Sequence, residues 1–269
     1  LETPITKNNL GLTEQNFSFN TPMEFAKAIK NNNINLLTTA NNHALDRGKK
    51  GLLETLECLE DLSIEHIGTY KSKEERNKTF IKDIDGVKFA FISYTYGTNA
   101  NMNKCYLKKD EYYMINLFRK QEKTIRKYNI FRRFKRKYMS KFIEDKFNYK
   151  RDKFFLERVE KDIEEAKKKS DYVIFFMHSG GQYNDEPEDY TRKLMKFLLD
   201  KGVNFVIGAH PHVVHGIEKC SIDKFGAYSL GNFYAIPYAN PNQKDDLPDY
   251  SIILNIYFSK ENKLLQIFL

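Results

Sequence analysis

Three apolar, β-rich runs in this chain each end in a polar loop that carries histidine, and segments with helical periodicity lie between them. Ile34 to Thr38 runs into Asn41-Asn42-His43, Tyr172 to Met177 ends at His178, and Val203 to Ile207 ends at Gly208-Ala209-His210-Pro211-His212. Short buried strands alternating with amphipathic helices specify an α/β fold. In open α/β sheets the reactive groups collect beyond the carboxyl ends of the strands, which is where all three polar clusters fall.

The helices are legible from spacing. Thr21-Pro22-Met23-Glu24 reads as an N-cap, a first-turn proline and a capping-box glutamate, opening a helix that ends near Lys30. Leu52, Leu53, Leu56, Leu59 and Leu62 recur every three or four residues, as on a helix packed against a sheet. Phe155, Val159, Ile163 and Ala166 line a later helix, and Leu194, Phe197 and Leu198 another that stops at Gly202. Phe80 to Ile84 and Val87 to Tyr94, joined by Asp85-Gly86, form a hairpin. From Val213 onward the chain reads as strands and turns, including Ala227 to Phe233 and Ser251 to Phe258.

Charge is concentrated. Between Arg119 and Lys153 fifteen Lys and Arg face four Asp and Glu, so that this stretch carries +11 of a chain whose net charge is +8. We read residues 104–153 as a basic helical insertion within one domain spanning 1–269. Its helices are expected to project near the mouth of the histidine cluster. Its Phe and Tyr residues suit contact with an anionic polymer or an anionic membrane surface, and an exposed amphipathic helical pair with solvated basic faces explains it equally well. No zinc-finger, RNP-like or helix-turn-helix spacing accompanies it, so no specific nucleic-acid partner is expected.

With 41% hydrophobic and 30% charged residues the chain is globular, and no window reaches the roughly 20 apolar residues of a membrane-spanning helix. It opens at Leu1 without a charged-then-apolar leader, which leaves room for an upstream segment removed or left out, and localisation is not readable from this end. Cys58, Cys105 and Cys220 are too widely spaced for a Cys-pair metal motif and leave the redox compartment open.

Four of the six histidines, His43, His178, His210 and His212, stand at the three strand ends. A lone strand-end histidine is usually a hydrogen-bonded structural residue; four gathered this way favour a metal site. Imidazole, Asn carbonyl and carboxylate suit divalent Mn, Fe or Zn. Pro211 would hold the His210–His212 turn in one conformation. His66 and His215 read as structural.

The same residues carry a resemblance. Asn41-Asn42-His43-Ala44-Leu45-Asp46, His178 with Gly180 and Tyr183, Gly208-Ala209-His210-Pro211-His212 and Tyr228-Ser229-Leu230-Gly231-Asn232-Phe233 resemble, in this order, the bacterial poly-gamma-glutamate capsule biosynthesis (CapA-type) family. The likeness covers Leu1 to about Phe258 apart from the basic stretch. That family resembles the calcineurin-like metallophosphoesterases, which implies a four-layer αββα sandwich, here lacking its first strand. The resemblance further implies that Glu2, Asn42, His178, His210 and His212 are metal ligands for one or two ions, and that His43 faces the leaving group with Asp46 positioning its ring. Asp46 also reads as the N-cap of the helix at Gly48. Three departures accompany the match: the upstream Gly-Asp strand is absent from this sequence, Ser179 replaces a Trp, and Gln182 replaces a Glu. The implied function is a metal-dependent hydrolase or transferase of a capsule or cell-envelope polymer, acting on phosphoester or amide bonds. The alternative is a non-catalytic subunit that binds poly-gamma-glutamate and works with membrane synthetase subunits. Either places the chain at the bacterial cell envelope, on the outer face of the cytoplasmic membrane, held by a segment outside this sequence.

Overall fold

The structure is a computed structural model, and it describes residues 1–7, 18–121, 147–221, 223–234, 249–258 and 265–268. In chain order its elements are α1 (Met23–Asn31), β1 (Leu36–Thr38), α2 (Gly48–Asp61), β2 (Glu65–Ile67), the one-turn helix α3 (Lys73–Arg76), β3 (Phe80–Ile84) and β4 (Val87–Thr95). There follow the one-turn helix α4 (Ala100–Asn103), α5 (Tyr149–Lys169), β5 (Tyr172–His178), α6 (Asp189–Asp200) and β6 (Phe205–Ala209). β7 (Val214–Ser221), β8 (Lys224–Leu230), β9 (Asn255–Phe258) and β10 (Leu265–Phe268) complete the described chain.

A six-stranded sheet in the order β3-β4-β5-β6-β8-β7 is the centre of the molecule. Its four inner strands run parallel and the two edge strands antiparallel, giving a mixed sheet. Alternation along each strand divides the side chains between two faces. Ala90, Ile92, Tyr94, Val173, Phe175 and Met177 meet Leu156, Val159, Ile163 and Ala166 of α5 and Leu194, Leu198 and Leu199 of α6. Phe89, Ile174, Phe205, Ile207 and Phe225 face the other way, against Ile256 and Phe258 of β9. Each large apolar side chain so buried stabilises the fold by about 1.5–3 kcal/mol. The fold is therefore mixed α/β, with a central mixed sheet flanked by helices. β1 and β2 form a separate parallel pair, covered by α1 and α2 through Ala26, Cys58 and Leu59, with Ile64 of the following turn in the same cluster.

Arg76 ties these layers together. Its guanidinium donates to both carboxylate oxygens of Asp162 on α5 (3.1 and 2.7 Å) and to Tyr94 Oη of β4 (2.8 Å), and Tyr94 donates in turn to Asp162 (2.6 Å). The hairpin expected at Asp85-Gly86 is present, with both residues at positive φ (54° and 84°), as the tight turn requires.

Two details differ from expectation. Thr21 does not cap α1: the helix starts at Met23 after Pro22, without a side-chain cap. Thr21 is committed sideways instead, its nitrogen bonded to Pro4 O (2.9 Å) and its hydroxyl to that of Thr3 (2.8 Å). Of the stretch 104–153, residues 122–146 lie outside the described ones, and so does the expectation of helices projecting there. On its near side residues 104–121 run as loop and one 3-10 turn (Lys109–Glu111), with Leu107, Met114, Ile115, Leu117 and Phe118 buried. On its far side the residues from Tyr149 onward are already the first turn of α5.

Candidate metal centre

Strand register assembles the site. Parallel pairing sets Thr95, His178 and Ala209 side by side at the carboxyl ends of β4, β5 and β6. The next residues, Tyr96, Ser179 and His210, therefore emerge together. Beside them the loop after β1 delivers Asn42 and His43, both buried. Glu2 arrives on a segment held along β1, where Leu1 N donates to Thr38 O (2.8 Å) and Asn41 Nδ2 donates to Leu1 O (2.6 Å).

Glu2 Oε1 is the common point. It lies 3.5 Å from His178 Nε2, 3.8 Å from His210 Nδ1 and 3.8 Å from His212 Nε2. Four ligands at about 2.0–2.1 Å from one tetrahedral ion stand about 3.3–3.4 Å apart, so the spacing is close to what a single ion would draw together. Glu2 Oε1 and His210 Nδ1 are moreover buried without a hydrogen-bond partner among the described residues. Orphaned buried polar atoms of this kind are rare in proteins and ask for an explanation; a shared cation supplies one. Glu2, His178 and His210 offer ligand atoms that all lie within 4.8 Å of one another, and this donor set fits a divalent ion. Asn42 Oδ1 sits 2.7 Å from His178 Nε2, at the edge of the same group.

The flanking contacts orient these candidate ligands. Asn232 Oδ1 takes His212 Nδ1 (2.8 Å), which leaves Nε2 for the Glu2 side, and Tyr183 stacks on the His212 ring with centroids 5.4 Å apart. The His-Pro-His turn is set by backbone conformations that its sequence does not announce. His210 has φ of 103° and His212 of 61°, strained for non-glycine residues and characteristic of functional sites.

His43 belongs to a separate arm. Its Nδ1 lies 2.6 Å from Asp46 Oδ2, its backbone nitrogen donates to Asn41 Oδ1 (2.9 Å), and Phe19 stacks on its ring at 4.1 Å. Phe19 N also donates to Asp46 Oδ2 (2.7 Å), so one carboxylate fixes both the imidazole and the ring that covers it. Asp46 does not cap α2, whose N-cap is Arg47. A cavity of about 340 Å³ opens beside the cluster, lined by Asn42, His43, Tyr96, Asn99, Met102, Gly180, Gly181, Gln182 and His210.

Tyr96, Phe19 and the part played by Asn232 escaped the sequence reading. Tyr96 had a detectable signal, since Val87 to Tyr94 is a fourth apolar strand that ends in a polar, glycine-containing turn; without a histidine the run read only as a hairpin arm. His215 is structural as expected, with Nε2 on Asn184 O (2.6 Å). His66 sits with Glu60 and Glu75 in a second group whose ligand atoms come within 4.8 Å. There Lys71 already pairs with Glu60, and its backbone nitrogen bonds Glu75 (2.7 Å).

Burial dominates the titration of the two buried imidazoles. It pushes His178 down, and pushes His210 down to about 4 against the opposing pull of Glu2. Burial would raise Glu2, but His178, His210 and His212 together hold its carboxyl well below the usual range. Burial lifts Tyr96 to about 12, so its hydroxyl keeps its proton. Neutral imidazoles beside a carboxylate are the protonation states that ion binding needs. A consequence for stability follows from His210. An unfolded histidine titrates near pH 6.5, so the unfolded chain binds more protons than the folded one from there down to about pH 4. Stability is complete above that window and should fall through it by on the order of 3 kcal/mol from this residue alone. Urea denaturation of the ion-free protein at pH 7 and pH 4.5 measures this, and His210→Asn should reduce the difference; an identical pH dependence in the two proteins would rule out a neutral buried imidazole.

A family model described as "Bacterial capsule synthesis protein PGA_cap" matches residues 1–236. The "PGA biosynthesis protein CapA" of Bacillus subtilis (strain 168) is 26% identical over 239 residues, 86% of this chain and 51% of that protein. The "Capsule biosynthesis protein CapA" of Bacillus anthracis is 22% identical over 229 residues, 84% and 46% of the two. The chain thus spans about half the length of these curated relatives.

Proposed function

The chain belongs to the bacterial capsule synthesis protein family PGA_cap, and from that premise we propose that its Glu2–histidine cluster is a metal-dependent hydrolase or transferase site acting on phosphoester or amide bonds of a capsule or cell-envelope polymer. One observation carries the reading: three imidazole nitrogens stand 3.5–3.8 Å from a single buried carboxylate oxygen that has no other partner among the described residues. Glu2, His178, His210 and His212 would hold a Mn, Fe or Zn ion, with Asn42 beside them. When bound, such an ion would supply Lewis-acid polarisation and a water activated at neutral pH.

The remaining work falls to side chains of this chain. Asp46 and Phe19 hold His43 with Nδ1 occupied, leaving Nε2 as the nitrogen able to hand a proton to a departing oxygen or nitrogen at the cavity. Asn42, Asn99 and Gln182 supply neutral hydrogen-bonding groups around the substrate. The four-layer sandwich of the metallophosphoesterases is the arrangement we propose for the complete domain. Poly-gamma-glutamate is the polymer we propose, from the names of the relatives, with synthetase subunits at the outer face of the cytoplasmic membrane as partners. Among the described residues no helix is long and apolar enough to cross a membrane. The charge of +11 between Arg119 and Lys153 favours a second reading, a non-catalytic subunit that gathers anionic polymer.

Metal analysis separates the two. The purified protein should retain at least one divalent ion per chain after dialysis, and the loaded protein should cleave a phosphodiester or a γ-glutamyl amide. An ion-free protein that binds poly-glutamate and cleaves neither substrate would overturn the enzymatic reading in favour of the subunit.

A further inference from the structure

His210 presents two nitrogens to two different partners. Nδ1 faces Glu2 Oε1 at 3.8 Å, and Nε2 lies 3.1 Å from Tyr96 Oη. A neutral imidazole carries one proton, so the group on Nε2 decides which nitrogen has a free lone pair. A tyrosine hydroxyl can fill either role there, because it both donates and accepts.

Tyr96 is held unusually firmly for a loop residue. Its nitrogen donates to His178 O (3.0 Å), its carbonyl accepts from Arg119 Nε (3.1 Å), and its ring lies against His210 with centroids 4.9 Å apart. The Arg119 guanidinium sits 5.3 Å from the centre of that ring and 5.4 Å from that of Tyr190. Strand register therefore fixes the hydroxyl beside His210, and Tyr96 is one of the residues that line the cavity.

We propose that Tyr96 is the positioning residue of His210: when an ion occupies the cluster, Tyr96 Oη accepts the Nε2 proton of His210, commits Nδ1 to the ion, and turns its own proton toward the cavity. The inference rests on the metal reading above and extends it to a residue outside the ligand set. In the ion-free chain the hydroxyl is free to donate to Nε2 instead. Loading thus reverses one hydrogen bond and presents a donor to an oxygen of whatever occupies the cavity, so that ligand binding follows ion binding.

The test uses Zn²⁺ as the probe, with wild type and Tyr96→Phe, the latter keeping the ring and its packing. Groups that orient metal ligands typically contribute 10- to 100-fold in affinity, and Tyr96→Phe should lose Zn²⁺ affinity by about that factor with an unchanged circular dichroism spectrum. Long-range ¹⁵N–¹H spectra of Zn²⁺-loaded wild type should show His210 protonated at Nε2, a measurement that needs no variant. Equal Zn²⁺ affinity in the two proteins, or a His210 protonated at Nδ1 in the loaded wild type, would overturn the proposal while leaving the metal reading in place. A wild type that takes up no Zn²⁺ would overturn both.

Discussion

Replacing Gly208 with alanine should cost about 3 kcal/mol or more and leave the domain marginal or unfolded. A Cβ at this position would stand 1.9 Å from Tyr228 O and 2.6 Å from its carbonyl carbon. Both atoms are backbone of β8, so no rotamer relieves the overlap. The strands must part, and the ladder that pairs Phe205, Val206 and Ile207 with Phe225, Gly226 and Ala227 parts with them. Gly216 provides the control. It lies on edge strand β7, where a Cβ would meet nothing within 4 Å, and Gly216→Ala should shift the urea midpoint little. Equal midpoints for the two variants would mean that β6 and β8 do not approach so closely.

The second large effect concerns turnover. Once an activity is in hand, His43→Ala should lower kcat by about 10²- to 10⁴-fold, the usual contribution of a positioned general acid, while ion content stays at the wild-type level. The separation follows from geometry: His43 is bonded to Asp46 and stacked on Phe19, whereas the Glu2 cluster draws on His178, His210 and His212. Loss of the ion together with activity would assign His43 to the ligand set. An unchanged kcat would remove it from the chemistry.

How much of this was legible in the sequence depends on the distance over which each feature is decided. Helix faces and strand positions are local, so Phe155, Val159, Ile163 and Ala166 fall on one buried face as their spacing requires. That His178 and His210 would be neighbours was readable from two strands ending alike. Tyr96 was not, because its meeting with His210 is settled by the register of β4 on β5 and of β5 on β6, across 114 residues. Glu2 was reachable only through family resemblance, since nothing local distinguishes it. The failed cap at Thr21 has the same origin: propensity favoured a helix start, and pairing with Pro4 claimed the residue first. The positive φ of His210 and His212 runs against intrinsic preference and is imposed by the surrounding packing.

The cluster at the strand ends joins position 2 to positions 178, 210 and 212, and within it His178 meets Asn42 across 136 residues. A nascent chain emerging from the ribosome has no such group until Gly208 to His212 has left the tunnel and β6 has docked beside β5. Loose peptide ligands would rank metals by intrinsic affinity, with copper and zinc ahead of manganese and iron. Ligands already fixed by a finished fold can choose by shape and by what the surroundings offer. Under the metal reading proposed above, the ion taken up would then depend on the compartment where folding is completed, and moving that step to another compartment would change the metal without changing a residue.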